Sequence, residues 1–178
     1  PDAAQAINWY RKAAEQGLAQ AQYNLGIMYA RGVGIPQDNA KAVHWIHKAA
    51  EQGLAQAQYS LGGMYDQGGG VPLDVTQALN WYRKAAEQGL VQAQYNLGLI
   101  YSEGIGVPQD DAKAVAWLLK AAEQGVAEAQ YMLGVIYREG KGVSRDTAKA
   151  VNWYRKAAEQ GFAKAQYNLG VIYNEGKI

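Results

Sequence analysis

The sequence predicts an all-α fold, a superhelix of five stacked helix-turn-helix repeats with ten helices in all. Trp occurs only five times in the 178 residues, and each Trp lies 36 residues after the one before it. One Gly and one Tyr of each copy keep the same spacing. A fixed period of this length is typical of one supersecondary unit that is repeated and stacked. The recurring residues are Trp9, Trp45, Trp81, Trp117 and Trp153; Gly17, Gly53, Gly89, Gly125 and Gly161; and Tyr23, Tyr59, Tyr95, Tyr131 and Tyr167.

The first helical pattern, called helix A, is predicted over about 18–31 in the first copy. Its apolar and small residues recur at about 100° per residue, which indicates one buried face. That face comprises Leu18, Ala21, Gln22, Leu25, Met28 and Tyr29. Gly32 follows at the C′ position, where a left-handed backbone is open to Gly.

The second helical pattern, helix B, is predicted over about 39–52, after a loop at 32–37. Asp38 suits its N-cap, because a carboxylate accepts hydrogen bonds from the free N–H groups of the first turn. The inward stripe of helix B is Ala42, Trp45, Ile46 and Ala49, with the Trp filling the space between successive repeats. Gly53 ends helix B, and the next helix A begins at once. Such a short connection favours antiparallel neighbours.

The whole chain is predicted to form a single solenoid domain that begins in helix B, over about 2–16, and ends in helix A, over about 162–175. Its units are 1–36, 37–72, 73–108, 109–144 and 145–178. Because the sequence starts without Met and inside a repeat, we expect it to be a fragment of a longer array.

The two terminal helices lack the polar caps that solenoids normally carry. Helix B at the start is expected to present Ala6, Trp9 and Ala13, and helix A at the end to present Leu169, Ile172 and Tyr173. These two faces match the surfaces that meet inside the array. Copies of the chain are therefore predicted to associate end to end, in a heterologous contact.

Composition excludes several function classes. The formal net charge is +1, from 17 basic and 16 acidic residues, whereas nucleic-acid-binding proteins usually carry a strong basic excess. No run of 18 apolar residues is present, so no membrane insertion is expected. The absence of Cys excludes disulfides and thiolate metal sites. It leaves the periplasm, secretion and the cytoplasm all open as compartments.

The repeat motifs point to a known superfamily. Leu25-Gly26-x-x-Tyr29, followed by Ala42-x-x-x-Ile46 and Ala49, resembles the tetratricopeptide pattern, apart from Gln22, where that family often has Trp. The period of 36, the loop Gly-x-Gly-Val-Pro-x-Asp and the segment Lys-Ala-x-x-Trp-x-x-Lys-Ala-Ala-Glu-x-Gly are similar to the Sel1-like repeat (SLR) subclass. The resemblance implies a right-handed superhelix whose A helices line the concave face. It also implies an adaptor in membrane-protein complexes, bacterial signalling or host–pathogen contacts.

Residues with catalytic chemistry are scarce. His44 and His47 lie three residues apart on helix B, but without a third ligand they are interpreted as solvent-exposed surface residues, not as a metal site. None of the three Ser residues begins a Ser-x-x-Lys motif. The glycine loops, such as 68–70, lack the Lys-Ser/Thr of a phosphate-binding loop. The sequence therefore predicts no catalytic, cofactor-binding or metal-binding residues, and no enzyme.

The candidate binding site is the face of helix A opposite its core stripe, which carries Tyr, Asn and apolar side chains. Tyr supplies a large contact area at low rotamer cost, and Asn both donates to and accepts from a peptide backbone. The predicted peptide-binding residues are Tyr23, Asn24, Ile27, Tyr59, Ser60, Tyr95, Asn96, Leu99, Tyr131, Met132, Arg138, Tyr167 and Asn168. The recurring Tyr is equally compatible with packing between adjacent A helices.

A protein or peptide ligand held in the concave groove is thus the favoured function. The alternative is an α-solenoid that reads RNA with one base per repeat. Neutral net charge and mixed-sign residues on the concave face disfavour it.

Overall fold

The structure, a computed structural model, describes residues 3–176. Ten α-helices follow one another in this range, and no strand occurs in it. They are α1 (Ala3–Glu15), α2 (Ala19–Arg31), α3 (Asn39–Glu51), α4 (Ala55–Gln67), α5 (Val75–Glu87), α6 (Val91–Glu103), α7 (Asp111–Glu123), α8 (Ala127–Glu139), α9 (Thr147–Glu159) and α10 (Ala163–Asn174). Odd-numbered helices are B helices and even-numbered helices are A helices. The predicted helix count and order are confirmed.

The helix ends follow the predicted local signals. In the first A–B pair, Gly32 has φ 66°, and its N–H donates to the carbonyl of Met28. Asp38 caps α3, since its Oδ1 accepts from the backbone N–H of Lys41 at 2.9 Å. Observed and predicted bounds differ by about one residue. The predicted first helical residue, Asp2, lies outside the described range.

The chain forms two compact units, residues 1–90 and 91–178. In the first unit, the core includes Leu25, Ile46 and Leu61, which have no exposed surface. In the second, Leu118 and Leu133 are buried to the same extent. Each core lies between sequential A and B helices, which pack as antiparallel neighbours.

A Gly in the middle of the A helix allows close approach of the following B helix. A Cβ atom at Gly62 would lie 2.7 Å from Cδ1 of Tyr82 and 3.2 Å from the carbonyl oxygen of Ala78. At Gly134, a Cβ atom would overlap the ring of Tyr154 in the same way. Packing against the next helix therefore requires glycine at these positions. Backbone conformation does not, because both glycines lie in regular right-handed helix.

A buried Gln links three successive helices. Gln22 donates from Nε2 to the carbonyl of Ala14 in α1 at 3.1 Å. Its Oε1 accepts from Nε2 of Gln52, at the end of α3, at 2.7 Å. We call this arrangement the glutamine relay. Its A-helix member is buried in four copies, Gln22, Gln58, Gln94 and Gln130, and the corresponding donors are Gln52, Gln88, Gln124 and Gln160.

Three sequence-based expectations about exposure need correction. Leu18 was expected in the buried stripe of helix A, but it is 58% exposed. At the equivalent position, Phe162 packs against the ring of Tyr131 on the preceding A helix, with centroids 5.2 Å apart; this sequence contains no A helix before Leu18. Ile172 was expected on an exposed terminal face, but it is buried between α9 and α10.

The third correction concerns His47, which was interpreted as a solvent-exposed residue. Its imidazole is half-buried, 5.7 Å from the ring of Trp81 in an edge-on contact. Nδ1 lies 3.3 Å from Oε2 of Glu51. His44 is exposed, as expected, and packs edge-on against Trp45.

Candidate functional site

The A helices form one surface in each unit, α2 and α4 in the first and α6, α8 and α10 in the second, and we call each surface the A face of its unit. The predicted peptide-binding residues lie on these A helices. In the first unit, the hydroxyl of Tyr23 lies 3.3 Å from Oγ of Ser60 on the next A helix. The Tyr23 ring packs against the cluster that includes Ile46 and Leu61. Adjacent A helices are thereby joined at the A face by a half-buried Tyr.

The same Tyr position is used for packing in the second unit. Tyr131 lies between Tyr154, at 5.8 Å between centroids, and Phe162, at 5.2 Å. Tyr167, which has no later helix in the sequence to cover it, is 73% exposed. The contacts of Tyr23 and Tyr131 therefore support the packing alternative for the ring, and both residues keep part of their surface exposed.

Two tyrosines in the second unit have perturbed hydroxyls. Burial, followed by the nearby carboxylates of Glu128 and Glu103, raises the pKa of Tyr95. Burial also raises the pKa of Tyr154, and the guanidinium of Arg138 acts in the opposite direction. Both phenols therefore stay protonated at neutral pH and remain hydrogen-bond donors.

The predicted Asn residues are half-buried, not fully exposed. Asn24 accepts through Oδ1 from Nε2 of Gln20, one helical turn away, at 3.2 Å. Asn168 lies beside the hydroxyl of Tyr154 and opposes the rise in the pKa of Tyr154 that burial causes. Asn96 occupies the equivalent, half-buried position on α6. Each of these three residues thus keeps part of its surface exposed.

A cavity of about 320 Å³ opens on the A face of the first unit. It brings together two predicted residues, Ile27 and Ser60, with residues that sequence reasoning did not single out. Its lining comprises Ile27, Ala30, Asn39, Ile46, Ser60, Gly63, Met64, Gln67 and Gly69. The A face of this unit is therefore indented between α2 and α4.

A second cavity, of about 520 Å³, lies in the second unit. It contains one predicted residue, Arg138, and is lined by Arg138, Glu139, Arg145, Thr147, Val171, Ile172 and Glu175. Five of these residues lie three periods of 36 after a lining residue of the first cavity, for example Val171 after Gly63. Both cavities therefore occupy the same place in the repeat, between successive A helices near their C-terminal ends.

The two cavities differ in charge. Arg138, Arg145, Glu139 and Glu175 line the second, and Glu139 pairs with Lys141 at 2.7 Å. The first has no ionisable side chain in its lining. A repeat position that varies between copies thus changes the chemistry of the cavity while the surrounding helices stay the same.

The described residues offer little else for chemistry. Within 3–176, no group of three or more His, Asp or Glu side chains is placed to hold a metal ion. No helix in this range is both long and apolar enough to cross a lipid bilayer.

The model of the Sel1 repeat matches residues 1–18, 19–54, 55–90, 91–126, 127–162 and 163–178, which together cover the whole chain. The chain belongs to the Sel1 repeat family. The family repeat is counted from an A helix, so its boundaries are shifted by half a repeat from the units proposed from the sequence. Sel1 repeat proteins are generally protein-interaction scaffolds and are typically non-enzymatic.

Solved structures agree with this Sel1 repeat assignment. A protective antigen of uropathogenic Escherichia coli with an SLR fold is 44% identical, with a TM-score of 0.96 over 98% of this chain and 38% of its own. A Sel1 repeat protein from Oxalobacter formigenes is also 44% identical, with a TM-score of 0.89 over 96% of this chain and 49% of its own. An immunity protein from Pseudomonas aeruginosa is 30% identical, with a TM-score of 0.55 over 89% of this chain and 59% of its own.

These matches confirm the predicted fold class, an all-α superhelix of stacked repeats. The present Sel1 repeat chain spans less than half the length of the first two of these relatives. No functionally curated protein matches it.

Proposed function

We propose that this Sel1 repeat protein is an adaptor that binds extended peptide segments of a partner protein on the A face of its units. The observation that carries the proposal is the pair of cavities at one repeat position, each beside predicted A-face residues. The family's general role as a protein-interaction scaffold supports the same class of ligand.

The chemistry of the A face suits a peptide backbone. Partly open amides, such as those of Asn24 and Asn168, offer both a donor and an acceptor to a passing peptide unit. Protonated phenols such as Tyr95 add donors and flat apolar area. Cavities between the helices then accommodate side chains of the peptide, because alternate side chains of an extended chain point toward the surface on which it lies.

A triple substitution tests the A face. The probe is a phage-displayed library of random dodecapeptides selected on the wild-type protein. Replacing Asn24, Asn96 and Asn168 together by Ala is expected to weaken the selected peptides at least about tenfold, because each lost hydrogen bond contributes about 0.5–1.5 kcal/mol. The melting temperature should change little, since none of the three lies in the core.

The chain provides a matched control. Asn8, Asn80 and Asn152 occupy one repeat position on the B helices and are exposed. Their triple replacement by Ala removes the same chemical groups from a different surface and should leave peptide binding unchanged. If binding survives the A-face triple change and also survives Tyr95→Ala, the peptide does not lie on this face, and the proposal is wrong.

Salt dependence separates this proposal from an RNA-reading solenoid. Neutralised phosphates release counterions, so the affinity for RNA falls steeply as salt is raised. Selected peptides without net charge should bind with nearly constant affinity between low and physiological salt. A single-stranded RNA pool that binds more tightly than any peptide, with a steep salt slope, would favour the RNA reader instead.

We also propose that copies of this chain associate end to end. Trp9 on α1 is 66% exposed and Tyr173 on α10 is 52% exposed. In copies that have neighbouring repeats on both sides, equivalent residues such as Trp81 and Tyr101 are buried. A second copy would bury both apolar surfaces in a heterologous contact. Sedimentation velocity should show association that grows with concentration and weakens in Trp9→Gln; a strict monomer at high concentration would disprove it.

A further inference from the structure

The second repeat has lost side chains at two positions that the other copies fill. On the A helices, Gly63 stands where the other copies have Ile27, Leu99, Val135 and Val171. In the following loop, Gly69 stands where they have Val33, Ile105 and Lys141. Both glycines line the cavity of about 320 Å³ in the first unit. The first cavity is therefore lined by glycine at two positions where other copies carry a side chain, whereas the equivalent cavity of the second unit is lined by Val171.

Neither glycine is required by the fold. A Cβ atom at Gly63 would meet only the Tyr82 hydroxyl, at 3.6 Å, and one at Gly69 would meet Met64 at 3.7 Å, both ordinary contacts. Neither residue has a positive φ, unlike Gly70, with φ 92°. Because a helix is less stable with Gly than with Ala at an interior position, Gly63 lowers the stability of α4, and no close packing contact requires it there.

The lining of the cavity determines what fits. Ile27 and Met64, which are partly exposed, provide apolar surface, and uncharged polar groups of Asn39 and Ser60 are also part of the lining. No lining residue carries a formal charge, so a charged group entering the cavity would lose its hydration without gaining an ion partner. The complementary occupant is neutral and apolar.

We propose that this cavity binds one neutral aliphatic or thioether side chain of the partner peptide, of the size of Leu, Ile or Met. This proposal rests on the proposed function, and it specifies which kind of peptide side chain, here called the anchor, inserts into the A face. A volume of about 320 Å³ is at the lower end of the range for ligand pockets, which leaves room for one such side chain together with part of the peptide that carries it. Met64 adapts its shape to the occupant, because its thioether chain is unbranched and flexible. One buried anchor in such a pocket typically dominates the binding energy of an interface.

Methionine methyl NMR gives a direct test, since the chain has three Met residues and only Met64 lines this cavity. The probe is N-acetyl-leucine N-methylamide, with N-acetyl-aspartate N-methylamide as the charged control. The leucine probe should shift the Met64 methyl signal saturably at millimolar concentration and leave Met28 unchanged. An unchanged Met64 signal, or an equal response to the aspartate probe, would overturn the proposal.

Substitutions that place a side chain in the cavity distinguish an effect on peptide binding from an effect on folding. Gly63→Leu introduces the side chain that Leu99 provides at the equivalent position, and Gly63→Ala is the smaller control. Both substitutions should raise the melting temperature, by about 2–4 °C for each kcal/mol gained in the free energy of unfolding. Weaker peptide binding by these variants could then not be attributed to unfolding. Peptides selected from the dodecapeptide library should bind Gly63→Leu at least about tenfold more weakly, and Gly63→Ala only slightly more weakly.

The outcomes for the two proposals differ. Selected peptides that share an aliphatic residue or Met, and that lose affinity for Gly63→Leu, support the anchor. Peptides that bind wild type and Gly63→Leu equally overturn the anchor and leave binding to the A face intact. If the library yields no binder, the proposed function itself fails, and the anchor fails with it.

Discussion

Gly62 and Gly63 are neighbours in α4, yet the structure assigns opposite effects to an Ala at each position. A Cβ atom at Gly62 would lie 2.7 Å from Cδ1 of Tyr82, closer than side chains approach in real proteins. A Cβ atom at Gly63 would lie 3.6 Å from the hydroxyl of the same Tyr82 and touch nothing else. We therefore expect Gly62→Ala to destabilise the protein and Gly63→Ala to stabilise it.

The magnitudes follow from two opposing effects. Replacing Gly by Ala inside a helix is worth about 1 kcal/mol, which is the whole expected gain at Gly63. At Gly62 the same gain is opposed by overpacking, which costs about 1–3 kcal/mol. Tyr82 is only 3% exposed, and the ring of Tyr59 lies against it at 5.5 Å, so it has little room to move. A net loss of up to about 2 kcal/mol is therefore expected for Gly62→Ala.

Urea denaturation followed by circular dichroism measures both variants. A double-mutant cycle then identifies the cause: in the Tyr82→Ala background, Gly62→Ala should no longer destabilise, because the overlapping ring is gone. The reasoning is refuted if both Ala variants shift the free energy of unfolding equally. It is also refuted if the cost of Gly62→Ala is the same with and without Tyr82.

Three further predictions concern stability. Leu97 is fully buried, so Leu97→Ala should lower the free energy of unfolding by about 2–5 kcal/mol, whereas exposed Lys48→Ala should change it by less than about 0.5 kcal/mol; equal effects in urea denaturation would mean that the helix faces are misassigned. Gln58→Ala removes one donated and one accepted hydrogen bond and should lower the free energy of unfolding by about 1–3 kcal/mol. An unchanged free energy of unfolding would mean that the glutamine relay does not stabilise the fold. The backbone N–H and then the side chain of Lys41 lower the pKa of Asp38 below its ordinary value of 3.8; its stabilisation is therefore complete above that value and lost as the pH falls through the lowered pKa. Thermal melts between neutral and acidic pH should show a smaller acid loss in Asp38→Asn.

Helix positions were predictable because each repeat carries its own local signals. The N-cap at Asp38 and the left-handed Gly32 act through atoms within a few residues of themselves. The core stripe was predictable for the same reason, since residues such as Leu25 and Leu61 face the neighbouring helix in every copy. Because the same signals recur in five copies, the helix positions in one copy support those in the others.

Features that depend on a neighbour in space were not predictable from the sequence. Leu18 has the same local sequence as its partly buried equivalent Leu54, yet it is exposed because no earlier A helix in the sequence covers it. His47 reads as a surface residue until Trp81 of the next repeat is placed beside it. The cavity beside Gly63 is formed by residues of α2, α3, α4 and the loop after α4, and it exists only after these elements are packed. Gly63 and Gly69 do depart from the repeat pattern, and this was the one signal available beforehand.

The glutamine relay has a consequence for how such arrays change length. In all four copies the donor lies 30 residues after its acceptor, so a duplication or deletion of 36 residues, wherever it starts, leaves every such pair in register. An insertion of one or two residues inside a helix that carries a pair would turn one glutamine away from the other, because each residue advances the helix by about 100°. The buried amide would then lose its partner, which is costly, so the hydrogen bonds favour changes of length by whole repeats.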